Sequence, residues 1–225
     1  MIFLMYNMGN SGGSWFERVC NTRKDVNAWE ELHRQKEYVK IDMADADQYA
    51  LDFLKVQSQH VKCVGLIKSF GKKTVEYCKA VDGVITQMYR NPIKVINHKM
   101  GKKTDGCKKL GIDCSDIFEA HIKFYRIRYE LFQSQSKEYI TFRLEDVNSI
   151  HDDIQKFREF LEITTGIEWS GDEVRNAQKV MPYGKTSFAD DGLEKIIWGG
   201  WDKRQRRMFL ENFEHIMSIG GYPIP

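Results

Sequence analysis

The chain has 225 residues and a formal net charge of +2. That length suits one domain with a real apolar core, and so small a charge excludes a global field for nucleic acid. No apolar stretch reaches membrane-span length, and five scattered cysteines (Cys20, Cys63, Cys78, Cys107, Cys114) show no zinc spacing, so a reduced, cytoplasmic compartment and no metal site are expected.

The apolar start MIFLMY is too short for a signal peptide and lacks its basic flank, so Ile2–Tyr6 is read as the first strand. It runs into GNSGGSWF, Gly9 to Phe16. Gly9, Gly12 and Gly13 allow positive φ and a close backbone approach, while Ser11 and Ser14 add hydroxyls. Trp15, Phe16 and Val19 have helical spacing, so a helix starts here and its free N–H groups face an anion. No Gly-Lys-Ser/Thr closes the loop, so the pattern is not the Walker one. A phosphate ester fits better than ATP used for phosphoryl transfer.

A helical region, Trp15 to Gln35, is interrupted at Asn21–Asp25. Tyr38–Ile41 is extended and leads to Asp42 and Asp45. A helix over Asp45–Gln59 places Tyr49, Phe53 and Val56 on one face. Val61–Ile67 reads as a strand, Lys72–Lys79 as a short helix and Gly83–Tyr89 as a strand. Arg90-Asn91-Pro92 then caps and opens a helix. Lys99–Asp113 is basic and contains glycine, which predicts a loop. Ser115–Gln135 is a long amphipathic helix and Tyr139–Arg143 a strand. Ser149–Thr164 is a helix capped by Ser149. A polar stretch precedes a last helix over Asp202–Ile219. Strands alternating with helices predict a three-layer α/β domain with a parallel sheet covered on both faces, spanning residues 1–225.

An arginine at the carboxyl end of a buried strand points to the crevice where α/β ligands bind. Arg90 stands there, before a helix N-terminus that also favours an anion. Two anion sites on neighbouring strands suit a ligand with two separate phosphates.

This ordered set resembles the sulfotransferase family, whose donor is 3′-phosphoadenosine 5′-phosphosulfate (PAPS). The family's first loop reads Lys/Arg-Ser-Gly-Thr-Thr-Trp; here Asn10, Ser11, Gly12, Gly13, Ser14 and Trp15 match it. The second site reads Arg-Asn/Asp-Pro with a serine eight residues after the arginine; here Arg90, Asn91, Pro92 and His98 match. The strand ending Ile-Lys-Thr-His is similar to LIKSF (Leu66–Phe70), and Arg-Tyr-Glu-Asp is similar to RLEDV (Arg143–Val147). A closing Gly221-Tyr222-Pro223 is similar to that of bacterial members.

The resemblance implies a P-loop-like sulfotransferase fold and transfer of a sulfuryl group from PAPS to a hydroxyl or amine. The acceptor would be a small molecule or carbohydrate, the product adenosine 3′,5′-bisphosphate, and no metal, nucleic acid or membrane span is implied. Asn10 and Ser11 to Ser14 would hold the 5′ end, and Arg90 with His98 the 3′-phosphate, under a late segment carrying Lys185. Trp15 has two readings, adenine stacking or core. Lys68 would supply the cation at the leaving oxygen, and His121 or Asp42 would assist the acceptor; a plain helix histidine is the other reading of His121. Three departures stand out. Asn10 replaces the loop cation, Phe70 the histidine base of the cytosolic branch, and His98 the serine. Carboxylates act as base in other branches. A non-catalytic binder of PAPS or of the bisphosphate is one rival reading. A P-loop nucleotide kinase, disfavoured by the missing Walker lysine, is the other.

Overall fold

The computed structural model describes residues 1–7, 12–30, 45–68, 71–100, 105–135, 137–181 and 192–225. The first half contains β1 (Ile2–Asn7), α1 (Gly13–Cys20), β2 (Val26–Glu30), α2 (Ala46–Gln57), β3 (Cys63–Ile67), α3 (Lys72–Ala80) and β4 (Val84–Tyr89). Then come α4 (Pro92–Lys99), α5 (Asp105–Lys109), α6 (Ile117–Gln135), β5 (Ile140–Arg143) and α7 (Leu144–Ile150). The chain closes with α8 (Ile154–Thr165), α9 (Gly171–Gln178), α10 (Leu193–Gly200) and α11 (Lys203–Ile219). Among the described residues no helix is long and apolar enough to cross a membrane.

The chain divides into two compact units. The first, Met1–Tyr89 with Tyr139–Ala189, holds a five-stranded sheet in the order β2-β3-β1-β4-β5, every described pair parallel. Period-two alternation decides which side chain enters which layer. Phe3 and Met5 of β1 join Trp15, Phe16 and Val19 of α1 and Phe157, Phe160 and Leu161 of α8 on one face. Ile2 and Leu4 join Ala50 and Leu54 of α2 and Cys78 of α3 on the other. Both faces are therefore covered, which is why β1 and β3 are apolar runs rather than alternating ones. The result is the expected three-layer α/β arrangement.

The second unit, Arg90–Glu138 with Asp190–Pro225, is helical among its described residues. Aromatic rings knit α6 to α11: Tyr129 meets Phe213 edge-on at 5.7 Å, and Phe209 stacks on Phe213 at 5.0 Å. Trp198 and Trp201 both lie against Phe209, which ties α10 and the chain after it to α11. Basic residues on α11 make surface ion pairs, with Arg204 reaching Asp116 at 2.7 Å.

The structure departs from the sequence reading in several elements. Residues 26–30 are a strand, not helix: Val26 and Ala28 alternate with Asn27, and pairing with β3 overrides the weak helical spacing. On α2 the buried side chains are Ala50, Leu51 and Leu54, while Val56 is 51% exposed. The single helix expected over 149–164 is two, α7 and α8. Asp153, not Ser149, caps the second, accepting from the N–H groups of Gln155 and Lys156. The polar stretch holds α9, opened by a capping box between Ser170 and Glu173. The expected loop over 99–113 contains the short α5, and the chain before the last helix holds α10. The Tyr38–Ile41 strand lies outside the described residues.

Candidate functional site

Glycine is required where the phosphate-type loop meets α1. Gly12 caps the helix at φ 82°, a left-handed conformation, and its carbonyl accepts from Phe16 at 2.9 Å. A Cβ on Gly13 would collide with the Glu30 carboxylate and lie 3.0 Å from Asn7 Nδ2. Only a bare backbone lets these side chains come so near the first turn of α1.

Glu30 is the residue the sequence reading missed. It is the last residue of β2, in register with Ile67, so it comes out beside Lys68, the residue that follows β3. Lys68 Nζ binds Glu30 Oε1, and Ser14 Oγ donates to Glu30 Oε2. The Lys68 and Glu30 side chains are 19% and 10% exposed. Lys68 holds φ 70°, a left-handed conformation rarely adopted by a residue with a side chain. Its backbone N–H still donates to Met5 O at 3.1 Å, so the turn comes immediately after the last sheet bond. Strain of this kind, of order 1–3 kcal/mol, persists where surrounding contacts over-determine it, and it gathers at functional sites.

Neighbouring groups complete this corner. Burial raises the Glu17 carboxyl above its usual range, while the Glu30 backbone N–H works to lower it. Trp15 is 3% exposed, enclosed by Phe16, His151 and Phe157, and its indole N–H donates to Val180 O at 2.7 Å. Of its two readings, the core position is the one its surroundings describe. Arg18 donates to Met181 O at 2.8 Å, so α1 is tied twice to this segment.

Asp47 of α2 braces the segment after Lys68. Its carboxylate accepts from the N–H groups of Gly71 (2.9 Å), Lys73 (2.8 Å) and Thr74 (3.1 Å), and from the Thr74 hydroxyl. Burial alone would raise this carboxyl; the Thr74 hydroxyl and those backbone donors outweigh it and hold it below the usual carboxylate range.

Arg90 and His98 belong to the second unit, at opposite ends of α4. Asn91 Oδ1 accepts from Ile93 N at 3.0 Å and Pro92 opens the helix, as the sequence predicts. Arg90 is half-buried; His98 is exposed, in the last turn. His121 is 3% exposed on the buried face of α6, with Nδ1 3.9 Å from Cys107 Sγ. Its neighbour Tyr125 has a hydroxyl pushed up to about 12 by burial. Gly12, Gly13, Ser14 and Lys68 are thus gathered with Glu30. Asn10, Ser11, Asp42, Phe70 and Lys185 lie outside the described residues.

Among the described residues no group of three or more His, Cys, Asp or Glu side chains is placed to hold a metal ion. A glycine turn at a helix N-terminus, with a carboxylate, a lysine and a hydroxyl beside it, can bind an anion and accept a proton.

No protein-family model matches the sequence, and no curated protein matches it. Solved structures do match its fold. The sulfotransferase domain from the curacin biosynthetic pathway aligns over 99% of this chain and 98% of its own, at 12% identity and a TM-score of 0.57. Mouse sulfotransferase SULT7A1, complexed with PAP, aligns over 99% of this chain and 89% of its own, at 9% identity and a TM-score of 0.59.

Proposed function

We propose that this chain, whose fold is that of the sulfotransferases, transfers a sulfuryl group from PAPS to a hydroxyl or amine. The observation that carries the reading is the cluster of Glu30, Lys68 and Ser14 against the first turn of α1. On this reading the whole chain acts as one sulfotransferase domain in a reduced, cytoplasmic compartment. The acceptor is a small molecule or carbohydrate.

The roles follow from charge and position. The loop, Asn10 to Ser14, holds the 5′-phosphosulfate on helix N–H groups and hydroxyls. Arg90 and His98 take the 3′-phosphate, and Lys185 closes over it. Glu30 is preferred to His121 as the base, because His121 is enclosed in α6 packing whereas Glu30 accepts from the Ser14 hydroxyl in the first turn of α1, and Asp42 is the alternative base. Glu30 takes the proton of the acceptor as its oxygen or nitrogen bonds to sulfur. The bond from sulfur to the bridging oxygen breaks, and adenosine 3′,5′-bisphosphate leaves with both electrons. Lys68 neutralises the charge growing on that oxygen, standing in for the cation that Asn10 lacks. On this reading Trp15, enclosed by Phe16, His151 and Phe157, serves the core.

Radiolabelled donor offered with a panel of hydroxyl and amine acceptors tests this. Transfer, or slow donor hydrolysis when no acceptor fits, is expected, and both should fall by about two orders of magnitude in Lys68→Ala. Tight binding of the bisphosphate with neither transfer nor hydrolysis would favour the non-catalytic reading, which Asn10 supports.

A further inference from the structure

Arg90 is gripped by its backbone. The Tyr129 hydroxyl, from the middle of α6, donates to the Arg90 carbonyl. Tyr129 is 2% exposed, and its ring is fixed edge-on against Phe213. The bond falls on the residue before the cap of α4, where the chain changes from strand to helix. Two residues into α4, Lys94 meets Glu194 of α10 at 3.0 Å, with side chains only 10% and 16% exposed. Ile93, Val95 and Ile96 are buried on the same helix. The Asn91 cap, the Tyr129 hydroxyl and the Lys94–Glu194 pair therefore hold one short segment from three elements.

A buried tyrosine needs a partner for its hydroxyl, but any carbonyl would serve. That it takes the carbonyl of the arginine proposed for the 3′-phosphate links α6 packing to the direction in which Arg90 leaves the chain. A lysine and a glutamate so little exposed are costly to desolvate, and a hydrophobic pair could hold two helices as well. What an ion pair adds is a defined register between α4 and α10.

We infer that Tyr129 and the Lys94–Glu194 pair are positioning residues for the 3′-phosphate site, fixing Arg90 and α4 for a nucleotide bearing phosphates at both 3′ and 5′. The inference rests on the donor reading above and adds to it the residues that set the preference for a 3′-phosphate. Neither Tyr129 nor Glu194 touches the nucleotide.

Titration calorimetry with adenosine 3′,5′-bisphosphate and, separately, with 5′-AMP tests it on the whole chain. Tyr129→Phe keeps the ring and removes the hydroxyl. It should weaken the bisphosphate about five- to tenfold, the size of one neutral hydrogen bond, and leave AMP unchanged. Glu194→Gln should move the same ratio in the same direction, and it carries the test should Tyr129→Phe not fold. A purely structural role lowers the melting temperature and leaves the affinity ratio alone, so an unchanged ratio in both folded variants overturns the inference while the donor reading stands. A wild-type chain that binds both nucleotides equally overturns the donor reading itself, and this inference with it.

Discussion

Lys68 and Arg90 each follow directly on a strand that flanks β1, yet the two cations are held by opposite means. Lys68 is held by its side chain: its ammonium meets Glu30, which also takes the Ser14 hydroxyl. Arg90 is held by its main chain, through Tyr129 on its carbonyl and the Asn91 cap one residue later. The first arrangement couples charges, so removing one member leaves the other partly buried without its opposite charge in this pair. The second fixes a direction, through bonds to the main chain on either side of the strand-to-helix turn. A pair of coupled charges suits chemistry, because it sets a proton acceptor beside a cation. A main-chain brace suits recognition, because it settles where a phosphate ligand stands.

Four experiments break or sharpen that contrast. The largest effect is expected at the coupled corner. Lys68→Ala should lower turnover by about two orders of magnitude, the range for losing one preorganised donor. Glu30→Gln should lower it by about 10² to 10⁴, the range for a general base. Donor affinity should fall much less in both, since these contacts strengthen as charge develops in the transition state. Turnover near wild type in either variant ends the proposed roles.

Next comes Arg90→Ala, expected to weaken the bisphosphate by roughly 2 to 3 kcal/mol, the scale of a lost charge-assisted hydrogen bond. AMP binding should hardly move. If both nucleotides weaken together in calorimetry, Arg90 is a structural residue and the contrast with Lys68 dissolves.

Asp47 is the main-chain brace of the first unit, as Tyr129 is of the second. Asp47→Ala should cost about 2 kcal/mol in urea unfolding, the upper range for a lost helix cap. Its carboxyl is held below the usual range, so it ionises at lower pH in the folded chain than in the unfolded one. Its contribution is therefore present above about pH 4 and is lost as pH falls further. Asp47→Asn should flatten that acid loss; an identical acid profile would mean the brace carries no weight.

The smallest effect separates two serines. Ser170 accepts from the Glu173 N–H in the cap of α9, whose Val174 and Ala177 pack in the same cluster as Trp15. Ser170→Ala should cost about 1 kcal/mol. Ser149 only donates to the Asp146 carbonyl on an exposed turn, so Ser149→Ala should stay within about 0.5 kcal/mol. Equal losses in thermal unfolding would contradict the assignment of caps.

What could be read without coordinates was local. The apolar runs of β1, β3 and β4, the glycine turn at Gly12–Gly13 and the Asn91-Pro92 helix start are each written within a few neighbouring residues, by period, φ preference and capping chemistry. The capping box that opens α9 is equally local, although Ser170 and Glu173 stand in a stretch read as polar chain. The tertiary structure alone decided what depends on residues far apart. Val26–Glu30 is too short for its alternation to outweigh a helical reading until β3 pairs with it. That register brings Glu30 to Lys68 across 38 residues of chain, and no pattern within either segment encodes the meeting. Trp15 and His121 carry spacing that permits a ligand or a core role alike. Packing against Phe157 encloses the one, and the buried face of α6 encloses the other, because burial is a property of neighbours that sequence distance does not reveal.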